Sequence, residues 1–475
     1  MKSQKLLILC LLIYIVSLFP SYAYAEKSNP KTDWPTGPNV QAEAAIVMES
    51  STGLVLYEKN INSTHFPASI TKILTTLIAL ENSTLNETVT FSRDAVFGIE
   101  RNSSHIGIDV GEKLTMQQCL YGIMLASANE VCNAVAEHIA GSTSEFANMM
   151  NQKAKSLGCL NSNFVNPHGL PDDNHYTSAY DMALIMREAM KNEDFRKIAS
   201  SRTFQIPPTN LQEETRYIRN HHRFILNQDY LYEDCTGGKT GYTDKARFTL
   251  VSSAKRGDLE LICVVLKVDT SGQQYVDSQK LLDFGFDNFS IYSIANLESP
   301  IVYESPYFTN YNTLLSKSNS IISTDQEGYL ILPNTASYED AIKEVDFFET
   351  PKDMDDKSVI GIISYKYHNK YVGRANILFN NSIESPTLTH KEVESTEQQT
   401  SLDIMPNQAP NLQDKDDKLD SPYRPLVIAG IIGILVFFIV IYIIFIERPR
   451  IKRRNDYRKK HENRKLFRRD DYFDF

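Results

Sequence analysis

The sequence predicts an α+β fold in which an antiparallel sheet packs against a cluster of helices. Three observations predict it. Strand-like runs lie near both ends of one long region, Ala42 to Glu49 with Leu54 to Tyr57 at its start, Phe248 to Ser252 with Leu259 to Val268 at its end. Segments between them repeat apolar residues at helical spacing. Short turns, Ser51-Thr52-Gly53 and Gly257-Asp258, join neighbouring strands into hairpins. At 475 residues and 42% hydrophobic, the chain has room for two domains.

The N-terminus has the pattern of an export signal. Lys2 and Lys5 precede an apolar run from Leu6 to Phe19, and Ala23-Tyr24-Ala25 fits the small-x-small cleavage rule, so residues 1–25 are expected to be a signal peptide. The first hairpin follows. A helix then begins near Ser69, with Ile70, Ile73, Leu74, Leu77 and Ile78 forming one apolar stripe. Lys72 lies one turn from Ser69 and off that stripe. From Asn82 to Gly111 the chain is polar and reads as mostly irregular. Thr115 and Gln118 form a capping box, opening a helix with Leu120, Ile123 and Met124 on one face. Ser127-Ala128-Asn129 interrupts it. A second helix runs from Glu130 to Ile139, with Gly141 as its C-terminal cap. Phe164 to Asp173 is a loop, Asp181 to Lys191 an amphipathic helix. Gly237 to Thr243 leads into the closing strands, and a helix over Val276 to Phe284 ends the region.

Residues 290–381 carry short strand-like runs, Tyr329 to Leu332, Val359 to Tyr365 and Tyr371 to Phe379, and are expected to form a small β-rich domain. Residues 382–424 are rich in Glu, Asp, Ser, Gln and Pro, the composition of a disordered stalk. Residues 426–446 are apolar and uncharged, and as a helix they span about 31 Å, enough for one transmembrane crossing. The basic residues 447–475 follow at once, which makes them a cytoplasmic tail and places the body outside, on the cell-wall side of the cell membrane.

The formal net charge is −10, and the tail alone contributes about +6, leaving about −16 elsewhere. An acidic exterior excludes nucleic acid as a partner, and the tail suits anionic lipid instead. Its protein partners are not legible. Of six cysteines, Cys10 falls in the signal; Cys119, Cys132, Cys159, Cys235 and Cys263 are scattered, form neither a disulfide framework nor a zinc site, and suit burial. His221-His222 lacks further residues at metal spacing, so no metal is expected.

Chemistry enters with Ser69. A serine at a helix start has free N–H groups and a positive dipole end beside it, which favour negative charge on its oxygen. A lysine three residues on can take its proton, an alternative to a histidine base. Alone, Ser69-x-x-Lys72 equally fits an N-cap serine with a solvated lysine. Two further elements change that: Ser127-x-Asn129 between helices, and Lys239-Thr240-Gly241 on a strand.

In order, spacing and setting these three resemble the penicillin-binding proteins and serine β-lactamases. The resemblance is closer to the low-molecular-mass D-alanyl-D-alanine carboxypeptidases. It covers about Pro38 to Phe289 and includes Pro67 to Lys72, Asn166-Pro167-His168-Gly169-Leu170, Thr177 to Asp181, Lys239 to Thr243 and Leu281 to Phe286. The resemblance implies a β-lactamase/transpeptidase-like catalytic domain over residues 37–289, without metal or cofactor. It implies that Ser69 attacks the bond between two terminal D-alanines of a peptidoglycan stem peptide, and that β-lactams inhibit by acylating it. Lys72 takes the proton, Ser127 relays it to the leaving amine, and Asn129 holds the substrate amide. The N–H groups of Ser69 and Tyr242 form the oxyanion hole, while Lys239 and Thr240 of the Lys-Thr-Gly241 motif meet the terminal carboxylate. Lys72 must then be neutral, through burial and the charge of Lys239.

Two positions depart from the pattern. Arg247 stands where many family members have glycine, and Gln274 where a downstream arginine helps hold the carboxylate. The expectation is that Arg247 supplies the missing charge. His168 is expected to act structurally. Three other readings compete: a D,D-endopeptidase, a β-lactamase, and a catalytically silent membrane-tethered sensor. No E-x-x-L-N motif lies between Ser127 and Lys239, which argues against a β-lactamase. The intact Ser69, Lys72, Ser127, Asn129 and Lys239 argue against the sensor, and the basic tail argues for it.

Overall fold

The computed structural model describes residues 34–298 and 322–380, apart from residues 101, 227–228 and 355–356. The expected signal peptide, stalk, membrane helix and basic tail lie outside the described residues.

Strands β1 (Ala44–Glu49) and β2 (Val55–Lys59) make the first hairpin. A 3-10 turn over Ala68–Thr71 leads into helix α1 (Lys72–Asn82), and Ile70, Ile73, Leu74, Leu77 and Ile78 are all buried as their spacing predicts. Next come β3 (Thr88–Thr90), α2 (Arg93–Phe97) and β4 (Lys113–Thr115). The stretch from Asn82 to Gly111 is therefore less irregular than its sequence suggests. A three-residue strand and a five-residue helix are too short to show a period.

Helices α3 (Met116–Leu125), α4 (Asn129–Ala140) and α5 (Thr143–Ser156) follow. The Thr115–Gln118 capping box is formed, and Gly141 ends α4 at φ +77°. Helices α6 (Ala179–Ala189) and α7 (Glu193–Ser200) complete the cluster, and β5 (Thr203–Ile206) pairs with β6 (Arg216–Arg219). The closing strands are β7 (Cys235–Thr243), β8 (Arg247–Arg256) and β9 (Leu259–Val268), then helix α8 (Gln273–Asn288).

The main sheet runs β2-β1-β9-β8-β7, antiparallel throughout. Its centre, β9, is apolar along nearly its whole length because both faces are covered. Ile262, Val264 and Leu266 point into the helical cluster; Leu261, Cys263 and Val265 point under α8. Successive residues of a strand face opposite ways, so one run of apolar residues supplies two cores. β7 is the last strand and pairs only with β8 within this sheet.

The remaining elements are β10 (Phe289–Ser293), α9 (Ile294–Leu297), β11 (Ile322–Thr324), β12 (Tyr329–Pro333), β13 (Ile342–Met354), β14 (Lys357–Tyr367) and β15 (Lys370–Asn380). They form a second sheet, ordered β10-β12-β15-β14-β13 with β11 also on β15. Its core includes Leu330, Leu332, Ile363, Tyr365 and Ile377. Trp34 packs against this core and against the one under α8. Its indole N–H donates to the Leu56 carbonyl at 3.2 Å, and its ring lies 5.1 Å from that of Phe289.

Candidate active site

Three pieces of chain converge on one cavity of about 590 Å³: the 3-10 turn before α1, the link between α3 and α4, and the edge strand β7. Ser69 stands in the turn, straight after Ala68, which is held at φ +53°. A non-glycine residue there carries backbone strain and persists only where its surroundings fix it. The surroundings here are the loop at Gly169. A Cβ on Gly169, at φ +88°, would lie 1.8 Å from the Ala68 carbonyl oxygen and 2.8 Å from Thr71 Oγ1. Only glycine lets the loop press so close. The Thr249 hydroxyl clamps the turn from the sheet side, donating to the Pro67 carbonyl at 2.9 Å.

Lys72 is wholly buried. Its ammonium donates to Ser69 Oγ at 2.9 Å, Asn129 Oδ1 at 2.7 Å and the His168 carbonyl at 2.7 Å. Burial pushes its pKa down from 10.5 to about 8. The lowered pKa makes neutral Lys72 more accessible near neutral pH, able to accept the Ser69 proton along a contact already formed. Lys239 is buried as well. Burial, then the charge of Lys72, holds its pKa well below the usual lysine value, and its Nζ donates to the Thr240 carbonyl at 2.9 Å.

Ser127 is held at φ +59° in the break between the two helices, and with Asn129 it lines the cavity opposite β7. The Asn129 N–H donates to the Ser104 carbonyl at 2.9 Å. Across from them Thr240, Gly241 and Tyr242 form a wall. Gly241 is required by proximity. A Cβ there would lie 2.4 Å from Thr249 Oγ1 and 2.9 Å from the Ser69 nitrogen. The backbone of β7 thus passes beside the Ser69 amide.

Three predicted site residues do not line this cavity: Lys72 and Lys239 are buried, and Arg247 points elsewhere. Arg247 is corrected: its guanidinium donates to the Asp269 carbonyl at 3.2 Å and lies 4.0 Å from that residue's carboxylate. Arg247 opens β8 with a left-handed backbone, φ +55°, and its side chain lies against Asp269 while Phe248 lines the cavity. Gln274 does line the cavity.

Two histidines, His168 and His222, are buried in local hydrogen bonds, while His221 lines the cavity. His168 Nδ1 accepts from the Leu170 N–H at 3.1 Å, and burial holds its pKa well below the usual value. Its contribution to Lys72 is made through the backbone carbonyl, which sequence motifs do not reveal. His222 is buried against Ser252 Oγ at 2.9 Å. Cys119, Cys132, Cys159 and Cys263 are buried and Cys235 is half-buried, all as free thiols. Arg223, which no motif singles out, also lines the cavity.

Residues 31–270 match a family model described as D-alanyl-D-alanine carboxypeptidase. The chain is 35% identical to the D-alanyl-D-alanine carboxypeptidase DacF of Bacillus subtilis over 297 residues, covering 61% of this chain and 73% of that protein. It is 30% identical to DacA of Escherichia coli, a D-alanyl-D-alanine carboxypeptidase, over 68% of this chain and 79% of the relative. Among solved structures it resembles penicillin binding protein 5 from Haemophilus influenzae, with a TM-score of 0.58 and 26% identity, over 73% of this chain and 98% of the other. A DD-transpeptidase of Streptomyces is matched over its whole length and 53% of this chain, with a TM-score of 0.50 and 27% identity. The Ser69 turn, the buried lysine and the edge strand therefore sit within an extended match of sequence and fold, and the chain belongs to the D-alanyl-D-alanine carboxypeptidase family.

Proposed function

We infer that this protein is a serine-type D-alanyl-D-alanine carboxypeptidase that trims the last D-alanine from peptidoglycan stem peptides, and that β-lactams acylate the same serine. The observation that carries the reading is the set of contacts at Lys72. A buried ammonium with a lowered pKa lies 2.9 Å from Ser69 Oγ, and two other acceptors fix its position.

The contacts at Lys72 support the following steps. Neutral Lys72 takes the proton of Ser69 as Oγ bonds to the carbonyl carbon between the two D-alanines. Charge moves to the carbonyl oxygen, where the N–H groups of Ser69 and Tyr242 stabilise it. The C–N bond breaks, and the departing amine takes a proton from Lys72 by way of the Ser127 hydroxyl. Water then attacks the ester, giving up a proton to Lys72; the C–Oγ bond breaks, Lys72 returns that proton to Ser69 Oγ, and the shortened peptide leaves as a carboxylic acid. Asn129 holds the substrate amide, and Lys239 and Thr240 meet the terminal carboxylate. These steps use side chains, backbone and water alone.

The same reading sets the protein at a membrane. Residues 1–25 direct export, residues 426–446 cross the bilayer once, and residues 447–475 stay inside. Residues 290–381 form a small β-rich domain which, with the stalk at 382–424, holds the site away from the bilayer. The apolar span and its basic flank support this arrangement. Protease added outside intact cells should remove the body and spare a tagged tail; loss of the tag overturns it.

The activity test is incubation with a peptide ending in D-Ala-D-Ala, beside a Ser69→Ala control. D-alanine released by the first alone establishes both reaction and nucleophile. Release by both removes Ser69 from the mechanism, and release by neither refutes the carboxypeptidase reading.

A further inference from the structure

The cations in and near the cavity are unequal. Lys72 and Lys239 are buried and pushed toward neutrality. Lys245, at the rim, is paired with Asp173 at 2.6 Å. Arg247 faces away. Arg223 differs from all of these. It lines the cavity from the chain between β6 and β7, and among the described residues no hydrogen bond or ion pair engages its guanidinium. A guanidinium stays charged at any working pH and offers a planar fork that matches a carboxylate.

Its place is also fixed. The guanidinium lies 5.4 Å from the ring centre of Tyr230 and 5.9 Å from that of Tyr275, and its own backbone N–H donates to the Tyr275 hydroxyl at 3.2 Å. Beside Tyr275 is Gln274, 4% exposed. Its amide donor is engaged by the Ser271 carbonyl at 3.1 Å, and its Oε1 is buried without a partner among the described residues. The Gln274 amide therefore presents an acceptor, which suits no anion.

We propose that Arg223 supplies the fixed positive charge that recognises the carboxylate at the end of the substrate. The proposal rests on the carboxypeptidase reading for the substrate's chemistry. Substrate binding pairs the guanidinium with the carboxylate while the tyrosine rings hold its plane.

The test compares acylation of the full-length protein by a penicillin and by its methyl ester, which differ only in the carboxylate, alongside D-alanine release from the peptide. Arg223→Gln should slow acylation by the penicillin roughly 10- to 150-fold, the worth of a charged hydrogen bond, and leave the ester rate unchanged. Arg223→Lys should fall between. Thermal melting of both variants separates folding from recognition. Equal loss on both compounds, or no loss on either, overturns the proposal. If wild type is acylated with the expected preference yet releases no D-alanine, Arg223 stands and the carboxypeptidase reading falls. If neither compound acylates wild type, both fall.

Discussion

The nucleophile corner and the Arg223 wall lie in one cavity and are built on opposite rules. At Ser69, hydrogen bonding is saturated: the three protons of Lys72 meet three acceptors, and the strained backbone at Ala68 is clamped by Gly169 on one side and Thr249 on the other. At the far wall a guanidinium and an amide oxygen have no partner among the described residues. Saturation fixes atoms that must react within a fraction of an ångström. The guanidinium is the group that the proposed pairing with a substrate carboxylate would complete.

The comparison can be tested by breaking the saturated corner first. Ser69→Ala should remove D-alanine release altogether, by about five to six orders of magnitude, as loss of a covalent nucleophile does, with the melting temperature preserved. Lys72→Met should lower acylation by about 10²- to 10⁴-fold, the range for loss of a general base, read by stopped-flow with a fluorescent penicillin. Residual rates within tenfold of wild type would mean another group takes the proton. In the intact enzyme, acylation should rise about tenfold per pH unit below pH 8 and flatten above it, because only neutral Lys72 accepts a proton. A flat profile from pH 6 to 9 would contradict the lysine base. Gly241→Ala should destabilise the fold by about 1–3 kcal/mol in chemical denaturation, since a methyl would collide with Thr249 and the Ser69 amide. Arg247→Ala sharpens the other half of the comparison. Its partner is the exposed Asp269, so KM should change by less than about twofold.

Much of this site was legible in sequence because its chemistry is written in local spacing. Ser69-x-x-Lys72 is one helical turn, Ser127-x-Asn129 one helix break, and Lys239-Thr240-Gly241 one strand. The capping box at Thr115 and the doubly buried β9 were legible for the same reason. What failed depends on geometry beyond the segment. The side that Arg247 takes goes with the left-handed backbone, φ +55°, that opens β8. The carbonyl of His168 reaches Lys72 only after a loop 96 residues away folds back. Arg223 sits in a connection with no periodic pattern, and becomes part of the cavity only because Tyr275 on α8 receives it. Short elements such as α2 and β3 were lost because three to five residues carry no period.

Trp34 has a consequence of another kind. It is the sole tryptophan of the chain, and it is wedged where the core beneath α8 meets the core of the second sheet. Neither core can loosen without changing its surroundings, so its fluorescence is a built-in gauge of that junction. The two sheets should melt in a single cooperative transition, with the emission shift coinciding with the loss of circular dichroism. A one-atom change of solvent around one indole then reports on whether the catalytic body and the second sheet still act as one mechanical piece.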